Sequence, residues 1–272
     1  MKAFQNKGWS ITVIFYSVFL TLPLYWLVVL SLQPNNVSQN QANIFPNPVS
    51  FENYLAIFFQ DNWVDGYLNT LMYVFLNIII TLLVSIPAAY AFSRYKFIGS
   101  NQAFFFTFLF RLLPPAIIIL PLVQMFSVIG LMDTHIAVAL AHSLFTIPIS
   151  IWILEGFLQN IPIEIEEIAE ADGYSKFQFH LKILLPQIRT GIAVAAFFCF
   201  MFSWVELIIA NALTTINTKP MGVIMRLVAE PLGFVHIGIS SAASVLMLIP
   251  GFILVWFLRK HLAKGFSMGR IG

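Results

Sequence analysis

Residues 164–186 read EIEEIAEADGYSKFQFHLKILLP, and the fold turns on this stretch. Pro162 suits the first turn of a helix, where a missing N–H costs nothing. Ile161, Ile165, Ile168 and Ala169 recur at helical spacing, with Glu164, Glu166, Glu167 and Glu170 between them. Acids in an opening turn also complement the helix dipole. Gly173 is placed to end that helix in a left-handed conformation. Ser175, with Gln178 three residues later, predicts a capping box for a second helix. Phe177, Leu181 and Leu184 give the second helix its expected apolar stripe, and Pro186 introduces the segment that follows. The expected unit is two short amphipathic helices joined at a glycine. A helix lying on lipid favours Lys and Arg on its polar face, whereas the first helix here is acidic. A groove on a soluble protein partner is the better receiver.

The surrounding chain makes this polar stretch an island. Of 272 residues, 59% are hydrophobic and 10% charged, against about 25% charged in a soluble domain. Net charge is +2 with no basic block, so no nucleic-acid partner is expected. The single cysteine, Cys199, excludes an internal disulfide and reads as a small buried apolar residue. Apolar runs long enough to cross a hydrocarbon core, which needs about 20 residues, lie at Ile11–Leu32, Tyr67–Ser93, Ala103–Ile129, Ile136–Leu154, Ile188–Leu213 and Ile237–Leu258. The first is too long for a signal-peptide core and lacks a cleavage site, so it is expected to be an uncleaved helix. The third contains Pro114, Pro115 and Pro121. Gln33–Asp65 reads as an external loop with a short helix near Phe51–Phe59. Asp133 marks a short loop, and Thr214–His236 a polar one.

Lys and Arg placement orients the spans. Lys2, Lys7, Arg94, Lys96, Lys176, Lys182, Arg189, Arg259, Lys260, Lys264 and Arg270 fall on one side of a six-span arrangement. Lys219 and Arg226 fall in a loop on the other side. The positive-inside rule counts Lys and Arg rather than net charge, so both termini and the acidic island are expected in the cytoplasm. The fold class expected is an all-α membrane protein of six transmembrane helices. It forms a single domain over 1–272, with a core at about 66–260 and a cytoplasmic loop at 160–187.

Glu167-Ile168-Ala169, three residues, Gly173, nine residues, then Ile183-x-Leu185-Pro186 resembles the E-A-A-x3-G-x9-I-x-L-P signature of membrane subunits of bacterial binding-protein-dependent ABC importers. Ile168 departs from the usual alanine. Phe51-Glu52-Asn53-Tyr54, Ala88-Ala89-Tyr90-Ala91-Phe92-Ser93-Arg94 and the ending from Ala263 to Gly269 are similar to the carbohydrate-uptake branch, in particular its maltose-type second permease. Ser203-Trp204-Val205-Glu206 resembles that branch's W-N-E segment with Val205 for Asn, and this segment with the Lys-Gly-Phe ending also looks like glycerol-type permeases. The resemblance implies a type I importer permease in the bacterial inner membrane, working by alternating access. It implies cytoplasmic ABC ATPase subunits, a second homologous permease and a periplasmic or lipid-anchored substrate-binding protein as partners, and a sugar or small polyol as substrate. It places Glu166, Glu167, Ala169, Asp172, Gly173 and Pro186 in coupling to the ATPase. Lys264, Gly265 and Gly269 fall in a 259–272 tail that touches it.

The chain has no G-x-x-x-x-G-K-[ST] loop, so it is expected to bind no cofactor, with ATP and Mg held on the partner ATPase. Glu206 and Arg111 are charges inside predicted spans, where each costs at least about 2.5–3.5 kcal/mol at mid-bilayer unless sheltered. Glu206 is read either as a hydrogen-bond partner for solute hydroxyls or as a contact to the sister permease. Arg111 is read chiefly as structural, snorkelling toward the cytoplasmic edge. Asn211, Gln124 and Asn77 are further pathway candidates beside His142, although interhelical hydrogen bonding is the commoner use of such residues. Two rival classes fit the chain less well. A membrane enzyme finds no H-E-x-x-H or G-x-S-x-G motif. A secondary transporter or channel explains the spans but not the acidic helix pair.

Overall fold

The structure is a computed structural model that describes residues 7–34, 44–59, 63–95, 97–229 and 237–268. Every regular element among the described residues is helical. The chain divides into two compact units, Met1–Val64 with Ile224–Pro250, and Asp65–Val223 with Gly251–Gly272.

The first unit contains α1 (Lys7–Ser31) and α2 (Glu52–Phe59). Most of α1 is exposed apolar surface, as befits a helix whose neighbour is lipid. Its end is riveted by Asn53, a fully buried residue whose amide donates to the carbonyls of Ser31 (3.0 Å) and Gln33 (2.7 Å). The Ser31 and Tyr54 hydroxyls share a further bond of 2.8 Å. A Cβ at Gly238 would come within 2.7 Å of the Asn53 amide, so the glycine admits this approach.

The second unit is built on α3 (Trp63–Arg94) and α6 (His135–Leu158), with α10 (Arg189–Val205) packed along α6. Gly191 permits that packing, since a Cβ there would meet the Phe157 ring at 2.8 Å. At about 48 Å for its 32 residues, α3 exceeds the hydrocarbon thickness of about 30 Å. Residues of α3, α6 and α10 join the 160–187 loop in one buried cluster that includes Ala89, Leu154, Leu158, Ala169, Leu184 and Ala195.

Among the described residues, four helices are each long and apolar enough to cross a membrane, and a bent pair, Lys176–Gln187 with Arg189–Val205, supplies a fifth candidate. The third predicted span is split into α4 (Ser100–Leu109), a 3-10 turn at Phe110–Leu112 and α5 (Pro115–Val128). Pro114 is extended (φ −61°, ψ 131°) and Pro115 opens α5, because the residue before a proline is driven out of helical conformation. Counted as one crossing, this segment is consistent with six.

One expectation is corrected. The fifth span is not continuous over 188–213: α10 stops at Val205, Glu206 is extended, and α11 (Ile208–Leu213) begins anew. The segment leading into it bends by 76°. The last helix runs from Ile237 through Lys264 and Gly265 to Met268, so the stretch from 259 continues it; Gly269 lies outside the described residues.

Candidate functional site

The 160–187 loop begins with α7 (Glu164–Ala171). Past Asp172, Gly173 adopts φ +83°, the Gly173 N–H bonds the Glu170 carbonyl (3.0 Å) and the Tyr174 N–H bonds that of Ala169 (3.0 Å). These two bonds are a Schellman cap, and the conformation it requires explains the glycine. The capping box is present: Gln178 N–H donates to Ser175 Oγ (3.3 Å), and the Ser175 N–H to Gln178 Oε1 (3.1 Å). It starts α8 (Lys176–Phe179), which passes into a π-turn at His180–Leu184 and then α9 (Leu185–Gln187). Pro186, which lacks an N–H and crowds the carbonyl four residues back, accounts for the widened turn.

The π-turn changes which side chains face inward. Phe179, Leu184 and Ile188 are buried, whereas Phe177 and Leu181 of the expected stripe are exposed. On α7, Ala169 is buried as expected and Ile165 half-buried, but Ile168 points outward at 62% exposure. Glu166 turns inward. Tyr90 Oη donates to Glu166 Oε1, Arg94 Nε lies 3.7 Å from Glu166 Oε2, and Arg94 Nη2 donates to the Ile161 carbonyl (2.8 Å). The outer face carries Glu167, Ile168, Asp172, Gly173 and Phe177, the last 73% exposed. A Cβ on Gly173 would meet nothing within 4 Å. Pro186 is also exposed.

A second polar group lies inside the bundle. His142 Nδ1 and Ser203 Oγ are 2.7 Å apart, and His142 Nε2 and Glu206 Oε2 3.0 Å apart, with both His142 and Ser203 fully buried. Glu206 is 6% exposed at its side chain. It also caps α11: Oε1 accepts the N–H of Ile208 (2.8 Å) and Ile209 (3.0 Å), and Oε2 that of Ala210 (3.2 Å). Its carboxylate therefore satisfies the orphan donors of a helix start and is engaged on both oxygens within the chain. Asn77 is buried in the α3–α6 packing, donating to the Ala139 carbonyl and Thr146 Oγ1, both at 3.2 Å. Gln124 and Asn211 are exposed and join neither group. Arg111 is held above the Phe202 ring at 5.2 Å. Phe202 stands on α10 well beyond Arg189, so the guanidinium does not snorkel to that end.

At the opposite end of the same unit, Asp133 sits at φ +57°, which Asp tolerates better than most residues. Its Oδ1 accepts the N–H of Thr215 (3.0 Å) and Thr218 (3.2 Å), and Oδ2 that of Ile216 (3.2 Å) and Asn217 (3.0 Å). Burial pushes this carboxyl up, but the hydrogen bonds from Asn217, Thr215 and Ile216 outweigh it and hold the group well below the usual carboxylate range. A depressed folded-state pKa gives stability that is complete above the ordinary value of about 4 and lost only as pH falls through the depressed one. Asp133→Asn, which puts an amide N–H against N–H donors, should lower the thermal midpoint in detergent equally at pH 5 and pH 8. Below about pH 4 the gap between variant and wild type should narrow as pH falls toward the depressed value, and a gap that stays constant from about pH 5 to pH 3 would show that the carboxyl titrates at its ordinary value.

Sequence reading missed Asp133's role, Ser203, and the use of Tyr90 and Arg94. For the last two a signal existed: they are four residues apart on α3 and share a face. The Asp133 tie joins segments some eighty residues apart, and no local pattern announces it.

An all-helical membrane domain with a capped two-helix loop at one end defines a multi-span membrane subunit. The chain belongs to the family described as binding-protein-dependent transport system inner membrane component, whose model matches residues 81–268. Among its relatives, the trehalose transport system permease protein SugB of Mycobacterium tuberculosis is 26% identical, over 100% of this chain and 99% of its own. The maltodextrin transport system permease protein MalD of Streptococcus pneumoniae is 26% identical over 93% and 90%. In fold the chain is similar to a chain from a bacterial ABC transporter that imports alginate, with TM-score 0.76 and 18% identity over 94% of this chain and 98% of that one.

Proposed function

We propose that this chain is one permease of an ATP-driven importer that moves a sugar or oligosaccharide inward by alternating access. In this reading the 160–187 loop docks in a cytoplasmic ATPase subunit. The observation that carries the reading is the outer face of that loop. Large apolar side chains, Ile168 and Phe177, are exposed outside the spans beside Glu167 and Asp172, and a mixed apolar and acidic patch in water calls for a protein partner. Ala169 and the Gly173 cap hold that face in shape, and Pro186 shapes the π-turn behind it. Lys264, Gly265 and Gly269 form the second ATPase contact. Lys and Arg placement puts the loop and both termini on the cytoplasmic side of the inner membrane.

The sugar assignment draws on relatives named for trehalose and maltodextrin. These relatives lend no support to a narrowing toward glycerol or another small polyol. A sister permease completes the pathway, and a soluble binding protein delivers the solute; an alginate transporter of the same fold is described in complex with a periplasmic protein carrying an alginate pentasaccharide. Within the chain, exposed Gln124 and Asn211 remain the pathway candidates, while Asn77 and Glu206 serve helix packing and capping. The affinity-tagged chain, isolated from its native membrane in mild detergent, is expected to bring an ATPase and a second permease in fixed proportion. Its recovery as a monodisperse, single-component protein with transport activity would contradict the proposal.

A further inference from the structure

The Tyr90–Arg94 end of α3 and the acidic helix α7 meet on a single carboxylate. We infer that Tyr90 and Arg94 are positioning residues that lock Glu166, so that α7 and α3 move as one body during transport. This inference rests on the coupling role proposed above for the 160–187 loop and names the helix that receives its motion.

Four observations converge. Tyr90 and Arg94 lie one turn apart on the same face of α3, and each reaches Glu166. Arg94 also donates to the Ile161 carbonyl at 2.8 Å, so one guanidinium spans the entry to α7 and its first turn. From the other half of the loop, the His180 ring packs edge-on against the Tyr90 ring, with centroids 4.4 Å apart. One end of α3 thus grips both halves of the loop, on either side of the Gly173 turn. Along its length α3 is bonded to α6 through Thr81 with Thr146 (2.7 Å) and Asn77 with the Ala139 carbonyl (3.2 Å), so a displacement at the loop has a stiff lever to act on.

The grip is of a kind that holds position. Arg94 is 9% exposed at its side chain and Glu166 27%, and the two bonds made here, Tyr90 to the Glu166 carboxylate and Arg94 to the Ile161 carbonyl, each involve a charged group and so belong to the stronger class. Arg94 Nε is buried without a hydrogen-bond acceptor, 3.7 Å from the carboxylate. A buried donor left unpaired is costly, and a movement of well under 1 Å would pair it. Glu166 is therefore directed at this chain's own α3, and the acids that face outward are Glu164, Glu167 and Glu170.

The test uses the complete transporter in proteoliposomes, with its ATPase, sister permease and binding protein, and reads solute taken up per ATP hydrolysed. Tyr90→Phe keeps the ring on His180 and removes only the hydroxyl; Arg94→Lys keeps the charge and removes the fork. Each is expected to assemble normally, hydrolyse ATP, and take up several-fold less solute per ATP. Arg94→Glu and Glu166→Arg should each lower that ratio about tenfold or more, the scale of a lost charged hydrogen bond. The double swap Arg94→Glu with Glu166→Arg should recover most of it. A wild-type ratio in Tyr90→Phe and Arg94→Lys, or losses that track only the amount of assembled complex, would overturn the inference. Wild-type uptake that needs no ATP would instead defeat the underlying coupling reading.

Discussion

Gly173→Asn is expected to leave the protein inserted and thermally stable while cutting ATP-driven uptake by about tenfold or more, a loss of at least about 1.4 kcal/mol in coupling. Two demands on this position separate cleanly. The first is conformational: φ is +83°, and an L-residue there costs about 1–2 kcal/mol, least for Asn. The second is spatial. Within the chain a Cβ would meet nothing, so any intolerance of a side chain must come from something outside it. Asn meets the first demand and fails the second. If the glycine serves the Schellman turn alone, Gly173→Asn transports normally. Gly173→Asp, with an added charge on the same face, is expected to abolish uptake, again without loss of inserted protein.

Glu206→Ala should have the largest effect on stability of any single change in the bundle, and little specific effect on solute affinity. It removes the partner of a fully buried His142 and uncaps the N–H groups of Ile208, Ile209 and Ala210 together. Each buried polar group left without its partner costs about 1–3 kcal/mol, and this change strands several at once. Glu206→Gln keeps one acceptor and should fall between. Because His142 and Glu206 are in contact, His142→Ala and Glu206→Ala should be non-additive by about 0.5–3 kcal/mol in a double-mutant cycle on thermal or denaturant midpoints. An unchanged midpoint in Glu206→Ala, with only the half-saturating solute concentration altered, would return Glu206 to the pathway.

The difference between these two residues shows what the sequence made legible. The loop was readable because its determinants are local: Ser175 and Gln178 three apart, Gly173 at a helix end, acids in an opening turn. The structure carries each as expected. Two expectations failed there: Ile168 faces outward from α7, and the apolar stripe of the second helix slipped in register. The π-turn before Pro186 turned Phe177 and Leu181 out, and helical periodicity assumes no such insertion. Glu206 was recognised as anomalous, but its function depended on a helix break and on His142, 64 positions away. Apolar composition extends across that break without interruption, so the run at 188–213 read as one span. Glu166 is the same kind of case: its charge was evident, but whether it faced a partner or Arg94 depended on tertiary packing. The run at 103–129, by contrast, announced its split through Pro114 and Pro115.

Drive of this permease through its 160–187 loop by a separate ATPase, as proposed, is tested by uptake of labelled trehalose and maltodextrins into proteoliposomes holding the reconstituted transporter and its binding protein. The uptake assay would be run with ATP, with a non-hydrolysable analogue, and with Gly173→Asp in place of the wild-type chain. The account predicts uptake only with hydrolysable ATP and the wild-type loop. Uptake by this chain without the ATPase, driven by an ion gradient and indifferent to Gly173→Asp, would contradict it.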